Sequence, residues 1–321
     1  QINQSTSPTS RATTASTTML RIILFLATSL LMMIHSVRSF RPTALVTGST
    51  DGIGVTTAKH LAAKGYNVLV HGRDEKRIAA ACSNIRQFVH DSSNDGDVLI
   101  EPLGRADLST VHGCEKLAQS VKKVCQEKEL HLTVLMNNAG VYAEELVTTT
   151  DGTELTFAVN VVAPFVLTSH LLPELLASRG AASSTQSSRI VIASSISQCR
   201  QIRDWDDLNY NNAKRSYSAH GAYSESKLLD AMLSNEIAER LQGAGHGPDQ
   251  ITCNSLDPGT VNTKMLLAGW GPCGIDVEDA LDQTYLCSSS DLNGVSGEYF
   301  TWRSKTGKSY KASERAKLWN I

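Results

Sequence analysis

The chain of 321 residues is long enough for one large domain or two small ones with a substantial core. With 30 Lys and Arg against 32 Asp and Glu, the formal net charge is −2 at pH 7, so no basic excess points to a nucleic-acid partner. The seven cysteines form no C-x-x-C pair and the nine histidines no H-x-x-x-H pair, which argues against a disulfide framework and against a metal site.

The N-terminal region differs in composition from the rest of the chain. Ten of residues 1–18 are Ser or Thr, and we expect this stretch to be disordered because it cannot bury a core. After Arg21 come thirteen residues without a charge, "IILFLATSLLMMI". Since a spanning helix needs roughly 20 residues, both a cleaved signal peptide and an uncleaved membrane anchor at residues 20–36 remain open. Residues 1–39 are thus predicted to be a leader that directs the protein to the endoplasmic reticulum or another signal-peptide-dependent compartment, a plastid included, and residues 40–321 to be the domain.

A strand, a glycine turn and a helix follow. "TALVT" (43–47) predicts a buried strand, "VTTAKHLAAKG" (55–65) a helix and "YNVLVHG" (66–72) a second, parallel strand. Glycines let the turn between the first strand and the helix approach a pyrophosphate, and the helix N-terminus offers free N–H groups. The residues of this turn predicted to bind a dinucleotide are Gly48, Thr50, Gly52, Ile53 and Gly54.

The end of the second strand bears on which nucleotide is bound. An acidic residue there would hold a ribose 2′-OH, whereas an arginine would favour a 2′-phosphate. The sequence "HGRDEK" places Arg73 at this point, which favours NADP(H) over NAD(H). Asp74 follows directly and keeps NAD(H) open.

Strands and helices continue to alternate along the chain. Four further strands are predicted at 97–103, 132–140, 188–195 and 250–259, with a helix opening near 106–109 and long helices at 152–178 and 220–242. This alternation is typical of an α/β fold with a doubly wound parallel sheet of the Rossmann type. Because no clean linker divides residues 41–321, we predict a single domain.

Six motifs resemble, in their order, those of the short-chain dehydrogenase/reductase family. They are "TGSTDGIG" (47–54), "NNAG" (137–140), "AVNVVAPF" with its Asn160, the serines at 194 and 195, "YSESK" (223–227) and "DPGTVNT" (257–263). The insert with "DDLN", together with "SGEYF" and "KLWN", resembles the retinol dehydrogenase-like group. This resemblance implies hydride transfer between NADP(H) and lipophilic aldehydes or alcohols, and frequent membrane association.

Two Tyr–Lys pairs have the Y-x-x-x-K spacing that would let a Lys ammonium favour a phenolate. Tyr223 and Lys227 precede a helical apolar stripe, so positions i and i+4 share a face. Tyr210 and Lys214 lie in a polar, Asn-rich, turn-like stretch. The sequence therefore favours Tyr223 as the proton donor and acceptor, with Lys227 also binding the nicotinamide ribose as the family resemblance implies.

The resemblance implies roles for further residues. Ser195 would hydrogen-bond the substrate oxygen, with Ser194 as the alternative by one position, and Asn160 would hold a water of the proton relay. The residues that would contact the cofactor are Asp107 at the adenine, Asn138, Ala139 and Gly140 beside the fourth strand, and Pro258, Gly259 and Thr263 over the nicotinamide. Asp51 is a departure, because NADP-preferring relatives often carry a basic residue at this position.

Two segments suggest how the substrate is bound. Residues 263–274, "TKMLLAGWGPCG", read as a mobile apolar lid with several glycines. The insert at 198–219 adds Trp205, Tyr210 and Tyr217, which would either extend a hydrophobic pocket mouth or simply pack a flap.

The leading hypothesis is an NADP(H)-dependent oxidoreductase of lipophilic aldehydes, ketones or alcohols, with no metal. Homo-oligomers are common in the family that the chain resembles, but no residue of the sequence indicates an interface, so the oligomeric state stays open. The alternatives are a non-catalytic dinucleotide-binding scaffold or redox sensor, and a peripheral membrane protein. The intact set of Asn160, Ser195, Tyr223 and Lys227 favours the enzyme, since a sensor has no need of all four.

Overall fold

The hydrophobic runs of the sequence form the strands of one sheet in a computed structural model that describes residues 40–92, 97–181, 186–212, 215–307 and 310–320. The predictions for residues 1–39, including the apolar segment at 20–36, lie outside the described residues. The strands are, in chain order, β1 (Pro42–Val46), β2 (Asn67–Val70), β3 (Ile100–Pro102), β4 (His131–Asn137), β5 (Ser188–Ala193), β6 (Ile251–Asp257), β7 (Tyr299–Thr301) and β8 (Ser304–Thr306).

The strands lie in the order β3-β2-β1-β4-β5-β6-β7-β8. All neighbours from β3 to β7 are parallel, and β8 pairs antiparallel with β7 at the edge. The direction of winding reverses between β1 and β4, which is where sheets of this kind bind ligands at the carboxyl ends of their strands. The predicted doubly wound parallel sheet is confirmed, and β7 and β8 are additional to the six predicted strands.

Helices flank the sheet, and several of them begin after a residue whose side chain caps the first turn. They are α1 (Gly52–Ala63), α2 (Glu75–Asp91), α3 (Val111–Glu127), α4 (Ala163–Ala181), α5 (Ala219–Gly243), α6 (Lys264–Gly269), α7 (Asp282–Ser288) and α8 (Ala312–Leu318). Side-chain oxygens of Asp51, Asp74, Thr110 and Ser218 accept hydrogen bonds from the first turns of α1, α2, α3 and α5. Such caps satisfy backbone N–H groups that have no partner inside the helix.

The core consists of two apolar clusters, one on each face of the sheet. On β1, Leu45 belongs to the cluster that includes residues of α3, α4 and α5, whereas Ala44 and Val46 belong to the cluster with α1 and α2. Successive strand residues point to opposite faces, so both faces must be apolar when helices cover both. This explains why the central strands read as continuous hydrophobic runs.

The long apolar helix predicted at 152–178 is interrupted. A helical turn at Leu155–Phe157, capped by Glu154, leads into a π-helical turn at Ala158–Val162, and α4 follows. Within the described residues, Leu155–Ser178 is the one stretch of helix with the length and mean hydropathy (1.7) of a membrane span. Leu167, Leu171 and Leu175 on it are fully buried in the core, which accounts for its apolar composition.

Candidate active site

One cavity of about 810 Å³ runs along the carboxyl ends of the central strands. It joins the glycine turn after β1 to the residues after β4, β5 and β6, and to the N-terminal part of α5. All residues predicted to bind the cofactor line this cavity, as do Ser195, Tyr223 and Lys227. Asn160 is the predicted site residue that does not line it. The arrangement fits an extended dinucleotide, with the glycine turn at one end and the Tyr–Lys pair at the other.

The glycine turn has the backbone conformation that requires glycine. Gly48 (φ 66°) and Gly52 (φ 54°) lie in the left-handed region, where a side chain is strained. A Cβ at Gly54 would lie 2.5 Å from both the Asn138 amide nitrogen and the Gly48 carbonyl oxygen. The glycines thus allow α1 to start directly against the loop after β4.

Buried polar groups hold this turn in place. Thr47 Oγ1 accepts hydrogen bonds from the N–H groups of Asn138 (3.0 Å) and Ala139 (2.9 Å), and the Asn138 amide donates to the Thr47 carbonyl at 2.8 Å. On its other side, the Asn138 side chain accepts from Gln283 at 3.0 Å. The segment predicted to flank the cofactor is therefore fixed to β1 by side-chain contacts.

His71 supports the turn from β2 and was not predicted from the sequence. Its Nδ1 accepts a hydrogen bond from the Gly48 N–H at 3.1 Å, and its Nε2 lies 3.2 Å from the Ala106 carbonyl oxygen. These contacts require neutral imidazole with the proton on Nε2. Burial lowers the pKa of His71 to about 4, because the charged form would lose its hydration.

The depressed pKa of His71 predicts a stability that depends on pH. The unfolded chain takes up this proton near pH 6.5 and the folded protein only near pH 4, so stability should fall by about 3 kcal/mol between those values as pH decreases. We expect His71→Gln, which cannot ionise, to flatten the pH dependence in urea unfolding between pH 7.5 and 4. His112→Gln, at an exposed histidine, is the control, and an unchanged slope in His71→Gln would contradict the assignment.

Charged side chains surround the start of α1. Asp51 caps this helix through the Gly52 N–H, and it forms ion pairs with Arg77 (3.0 Å) and with Lys264. The hydrogen bond from Lys264 is the largest cause that holds the pKa of Asp51 below its usual value. The negative charge of Asp51, which stands where NADP-preferring relatives often carry a basic residue, is thus compensated by two cations. Arg73, Arg77 and Lys264 all line the cavity.

The helix α5 carries the Tyr–Lys pair. Tyr223 is 8% exposed, and Lys227 Nζ lies 5.5 Å from the centre of its ring. Burial raises the pKa of Tyr223, opposed by the Lys227 charge and by a hydrogen bond from Ser195. The expectation that Lys227 lowers this pKa holds for its own contribution, but desolvation outweighs it. Tyr210 instead donates to Glu225 at 3.3 Å, and Lys214, four residues after it, lies outside the described residues.

The two serines after β5 point in different directions. Ser194 is buried and donates to the Lys227 carbonyl at 2.6 Å, so its hydroxyl supports the backbone of α5. Both serines line the cavity, and the side chain of Ser195 interacts with the Tyr223 phenol and contributes to lowering its pKa. Strand alternation therefore brings Ser195, and not Ser194, next to the tyrosine hydroxyl.

Asp230 is a second residue that the sequence did not reveal as part of the site. Its carboxylate is fully buried, and Lys227 Nζ donates to its Oδ2 at 2.8 Å and to the Ala193 carbonyl at 2.9 Å. The spacing of three residues on α5 could have pointed to this pair, since positions i and i+3 share a helix face.

Asn160 lies behind the cavity in the π-helical turn. Its side chain accepts from the Val141 N–H at 2.8 Å and donates to the Val141 carbonyl (3.1 Å) and to Ser226 Oγ (2.9 Å). The side chain thus clamps the loop after β4 to α5, and its amide has partners at both ends. Placement at a π-turn is frequent for residues of functional sites.

The predicted lid covers the site and contains a short helix, α6. Thr263 caps it by accepting from the Leu266 N–H at 3.2 Å. The base of the lid is closed by two hydrogen bonds between the Asn262 side chain and the backbone of Gly274 (2.8 and 2.9 Å). A Cβ at Gly274 would lie 2.5 Å from the Thr260 carbonyl oxygen, so this glycine serves close packing.

Aromatic rings meet at the mouth of the cavity. The Trp270 ring of the lid lies 5.6 Å from that of Tyr223, 5.1 Å from that of Tyr142 and 4.9 Å from that of His220. The Tyr142 hydroxyl is 2.6 Å from His220 Nδ1. Tyr142 and His220 were not predicted, because they lie outside the family motifs and far apart in the sequence.

The aromatic residues of the insert do not extend the cavity, which decides between the two alternatives left open by the sequence. Trp205 packs against the core, Tyr210 contacts Glu225, and Tyr217 donates to the Ala143 carbonyl at 2.7 Å. The prediction of a pocket mouth from these residues is wrong, and they pack a flap. The apolar residues of the lid that do line the cavity are Met265, Leu266, Leu267 and Trp270.

Glu225 anchors this flap to α5. It accepts hydrogen bonds from the Arg203 N–H at 3.1 Å and from Tyr210, and it forms a buried ion pair with Arg215. The Arg215 guanidinium lies 3.9 Å from the centre of the Tyr210 ring. Within "YSESK" (223–227), Glu225 therefore faces the flap, while Tyr223 and Lys227 face the cavity.

Known proteins share both the sequence pattern and the fold. Residues 42–204 match the family model described as short chain dehydrogenase. Human retinol dehydrogenase 14 is 31% identical over 310 residues, which cover 87% of this chain and 84% of that protein. Human polyprenol dehydrogenase is 32% identical over 287 residues, covering 86% and 81%. The fold is similar to that of Pseudomonas aeruginosa RhlG in its NADP complex, with a TM-score of 0.59 at 23% identity, covering 82% of this chain and 94% of that one.

Proposed function

This chain belongs to the short chain dehydrogenase family, and we propose that it uses NADP(H) to interconvert lipophilic alcohols with their aldehydes or ketones. Membership makes it an NAD(P)-dependent oxidoreductase that acts on CH–OH or C=O groups, and the resemblance to the retinol dehydrogenase-like group is confirmed. The observation that carries the proposal is the single cavity that joins the glycine turn to Ser195, Tyr223 and Lys227.

The residues at the end of the cavity that contains Tyr223 and Lys227 suit proton transfer to a substrate oxygen. The bound nicotinamide would supply or accept the hydride. In carbonyl reduction, the Tyr223 hydroxyl gives its proton to the substrate oxygen, and in alcohol oxidation the phenolate takes it back. Ser195 hydrogen-bonds the same oxygen and stabilises the charge that develops there. Lys227 lowers the cost of the phenolate by its positive charge.

The preference for NADP(H) rests on the cations at the end of the cavity that contains the glycine turn. Arg73 and Arg77 line it where the second strand ends, and a guanidinium binds a phosphate with two parallel hydrogen bonds. Asp51 would repel a phosphate, but its ion pairs with Arg77 and Lys264 offset its charge. The balance of charge at this end therefore favours a 2′-phosphate.

The proposal of a lipophilic substrate is supported by the apolar residues that line the cavity near Tyr223. Exposed apolar side chains stand at the cavity, with Ile196 69% exposed, Leu267 48% and Trp270 38%. Burial of such surface by a ligand is favourable at roughly 25 cal/mol per Å². The relatives named retinol dehydrogenase 14 and polyprenol dehydrogenase agree with a substrate that is a long apolar molecule with one oxidisable end.

Association with an endomembrane surface is part of the same proposal. The apolar segment at residues 20–36 and an apolar substrate both favour a location at a lipid bilayer. Fractionation of the full chain after a carbonate wash distinguishes an anchor from a cleaved signal peptide, because only an anchor stays with the membranes.

The test of the proposed function is a turnover assay of the full chain in detergent. We would follow nicotinamide absorbance with NADPH and with NADH against retinal, polyprenals, long-chain aldehydes and steroid ketones, with small polar aldehydes as the comparison. The proposal expects turnover that is faster with NADPH and rises with substrate hydrophobicity. Tight NADPH binding without turnover on any of these compounds would instead favour the scaffold or redox-sensor hypothesis.

A further inference from the structure

A carboxylate lies directly behind the Lys227 ammonium. Asp230 follows Lys227 by three residues on α5, and its Oδ2 accepts a hydrogen bond from Lys227 Nζ at 2.8 Å. The Asp230 side chain is 0% exposed, and its Oδ1 has no partner among the described residues. A buried carboxylate is costly unless an opposite charge compensates it, and Lys227 provides that charge.

The contact fixes the direction in which Lys227 can act. An ammonium group has three N–H donors. Two of them are bound to Asp230 Oδ2 and to the Ala193 carbonyl oxygen, on the side of the sheet. Because Lys227 also lines the cavity, the third N–H is the one left for a ligand there.

The charge of Asp230 also reaches the tyrosine. Burial would lower the pKa of Lys227, but the Asp230 carboxylate outweighs it and raises this pKa above its usual value. At Tyr223, burial is the largest cause of a raised pKa, Lys227 lowers it, and Asp230 contributes to raising it. Burial also raises the pKa of Asp230 itself, to about 7, although the Lys227 charge opposes this. In its ionised form, Asp230 thus keeps Lys227 protonated and moderates its effect on the phenol.

Other titratable groups face this region from the neighbouring elements. The charge of Asp257 at the end of β6 contributes to raising the pKa of Tyr223, and a Tyr223 phenolate would raise the pKa of Tyr299 on β7. Tyr142 and His220 contact the aromatic rings at the mouth. Asp257 accepts a hydrogen bond from the Gly259 N–H at 3.2 Å. Within the part of the chain that the structure describes, Asp230 is the charged group in contact with Lys227 Nζ.

We propose that Asp230 is a positioning residue for the reaction, which holds the Lys227 ammonium protonated and directs its remaining N–H into the cavity. The inference rests on the proposed function, because it assigns Asp230 a role through Tyr223 and Lys227.

The test is the pH dependence of carbonyl reduction by NADPH in Asp230→Asn, which keeps the shape and removes the charge. The negative charge of Asp230 raises the pKa at which the Tyr223–Lys227 pair loses its first proton. In Asp230→Asn this first pKa should be lower, whichever of the two groups releases the proton. We expect the alkaline limb of the kcat profile to move to lower pH by about one unit or more. Ser234→Ala, at a fully buried polar residue of the same helix, is the control and should follow the wild-type profile.

Two results would overturn the inference. A profile of Asp230→Asn that superimposes on that of the wild type would show that the carboxylate does not act on the pair. A kcat that is lowered equally at every pH, with no movement of the limb, would show a purely structural role.

A stability comparison keeps the inference testable if Asp230→Asn does not fold. Lys227→Met leaves the buried carboxylate without its partner, so the double variant Lys227→Met/Asp230→Asn should be more stable in urea than Lys227→Met alone. A double variant that is no more stable would refute the pairing. This comparison does not require turnover, so it applies to an inactive protein as well.

Failure of the proposed function is distinguishable from failure of this inference. If the wild type binds NADPH but turns over none of the compounds, the proposed function fails, and the stability comparison still tests the pairing of Asp230 with Lys227. If Tyr223→Phe is inactive while the limb stays fixed in Asp230→Asn, only the role of Asp230 fails.

Discussion

Replacement of Tyr223 by Phe is expected to lower kcat for carbonyl reduction by about 10²- to 10⁴-fold, the range that a positioned acid contributes. The change removes only the hydroxyl, and the ring keeps its contacts with Trp270 and Tyr142. Affinity for NADPH should therefore stay within a few-fold. Single-turnover kinetics and a fluorescence titration of NADPH would measure the two quantities separately.

Tyr210→Phe is the matched control for this experiment. It removes the hydrogen bond from the flap to Glu225 of α5 and leaves the cavity unchanged, so turnover should persist. A loss of turnover in Tyr210→Phe together with full activity in Tyr223→Phe would overturn the assignment of the site.

Replacement of Arg73 by Ala should reduce kcat/KM for NADPH by about 10- to 100-fold, because one charge-assisted hydrogen bond to a phosphate contributes about 1.5–3 kcal/mol. The value for NADH should change by only a few-fold, since NADH carries no 2′-phosphate. Arg77→Ala should have the same direction, and it would also release Asp51 from one of its ion pairs. The measurement is the ratio of kcat/KM values for the two cofactors in each variant.

Lys76→Ala serves as the control for the arginine variants, since Lys76 is exposed on α2 and does not line the cavity. An equal loss with NADPH and NADH in Arg73→Ala would mean that the arginine supports the loop and does not read the 2′-phosphate. A wild-type enzyme that prefers NADH would contradict the proposed cofactor outright.

The elements that the sequence predicted are those with long apolar runs. The first six strands were visible because helices cover both faces of the sheet, so nearly every residue of β1, β2, β5 and β6 is buried. β7 and β8 have three residues each, too few for a period to be recognised, and β8 is exposed. The π-turn at Ala158–Val162 has no simple sequence signature, and the contacts that Asn160 makes in it are with Val141 and Ser226, which are distant in the sequence.

The site residues on motifs were predictable and their neighbours were not. Ser195, Tyr223 and Lys227 come from the family pattern, and the structure brings them to one cavity. His71 contacts Gly48, which lies 23 residues away in the sequence, and only the three-dimensional arrangement reveals this contact. For Asp230, the spacing of three residues from Lys227 on a helix was a signal that the sequence did contain. The sequence left two alternatives open for the aromatic residues of the insert, because an apolar ring predicts burial but not the surface against which it is buried.

The π-turn divides one long helix into two segments that are out of phase. A π-turn contains one residue more than the α-helical turn it replaces, and each residue of an α-helix rotates by about 100°. The side of the helix that meets the loop after β4 is thus set independently of the side that packs on the sheet through Leu167 and Leu171. Loss of a single codon at 161 or 162 would restore a regular helix and turn Asn160 away from Val141, and Val159, which lines the cavity, would turn with it. For this helix, insertions and deletions are therefore more disruptive than most substitutions, and the length of the segment is itself part of the information that builds the site.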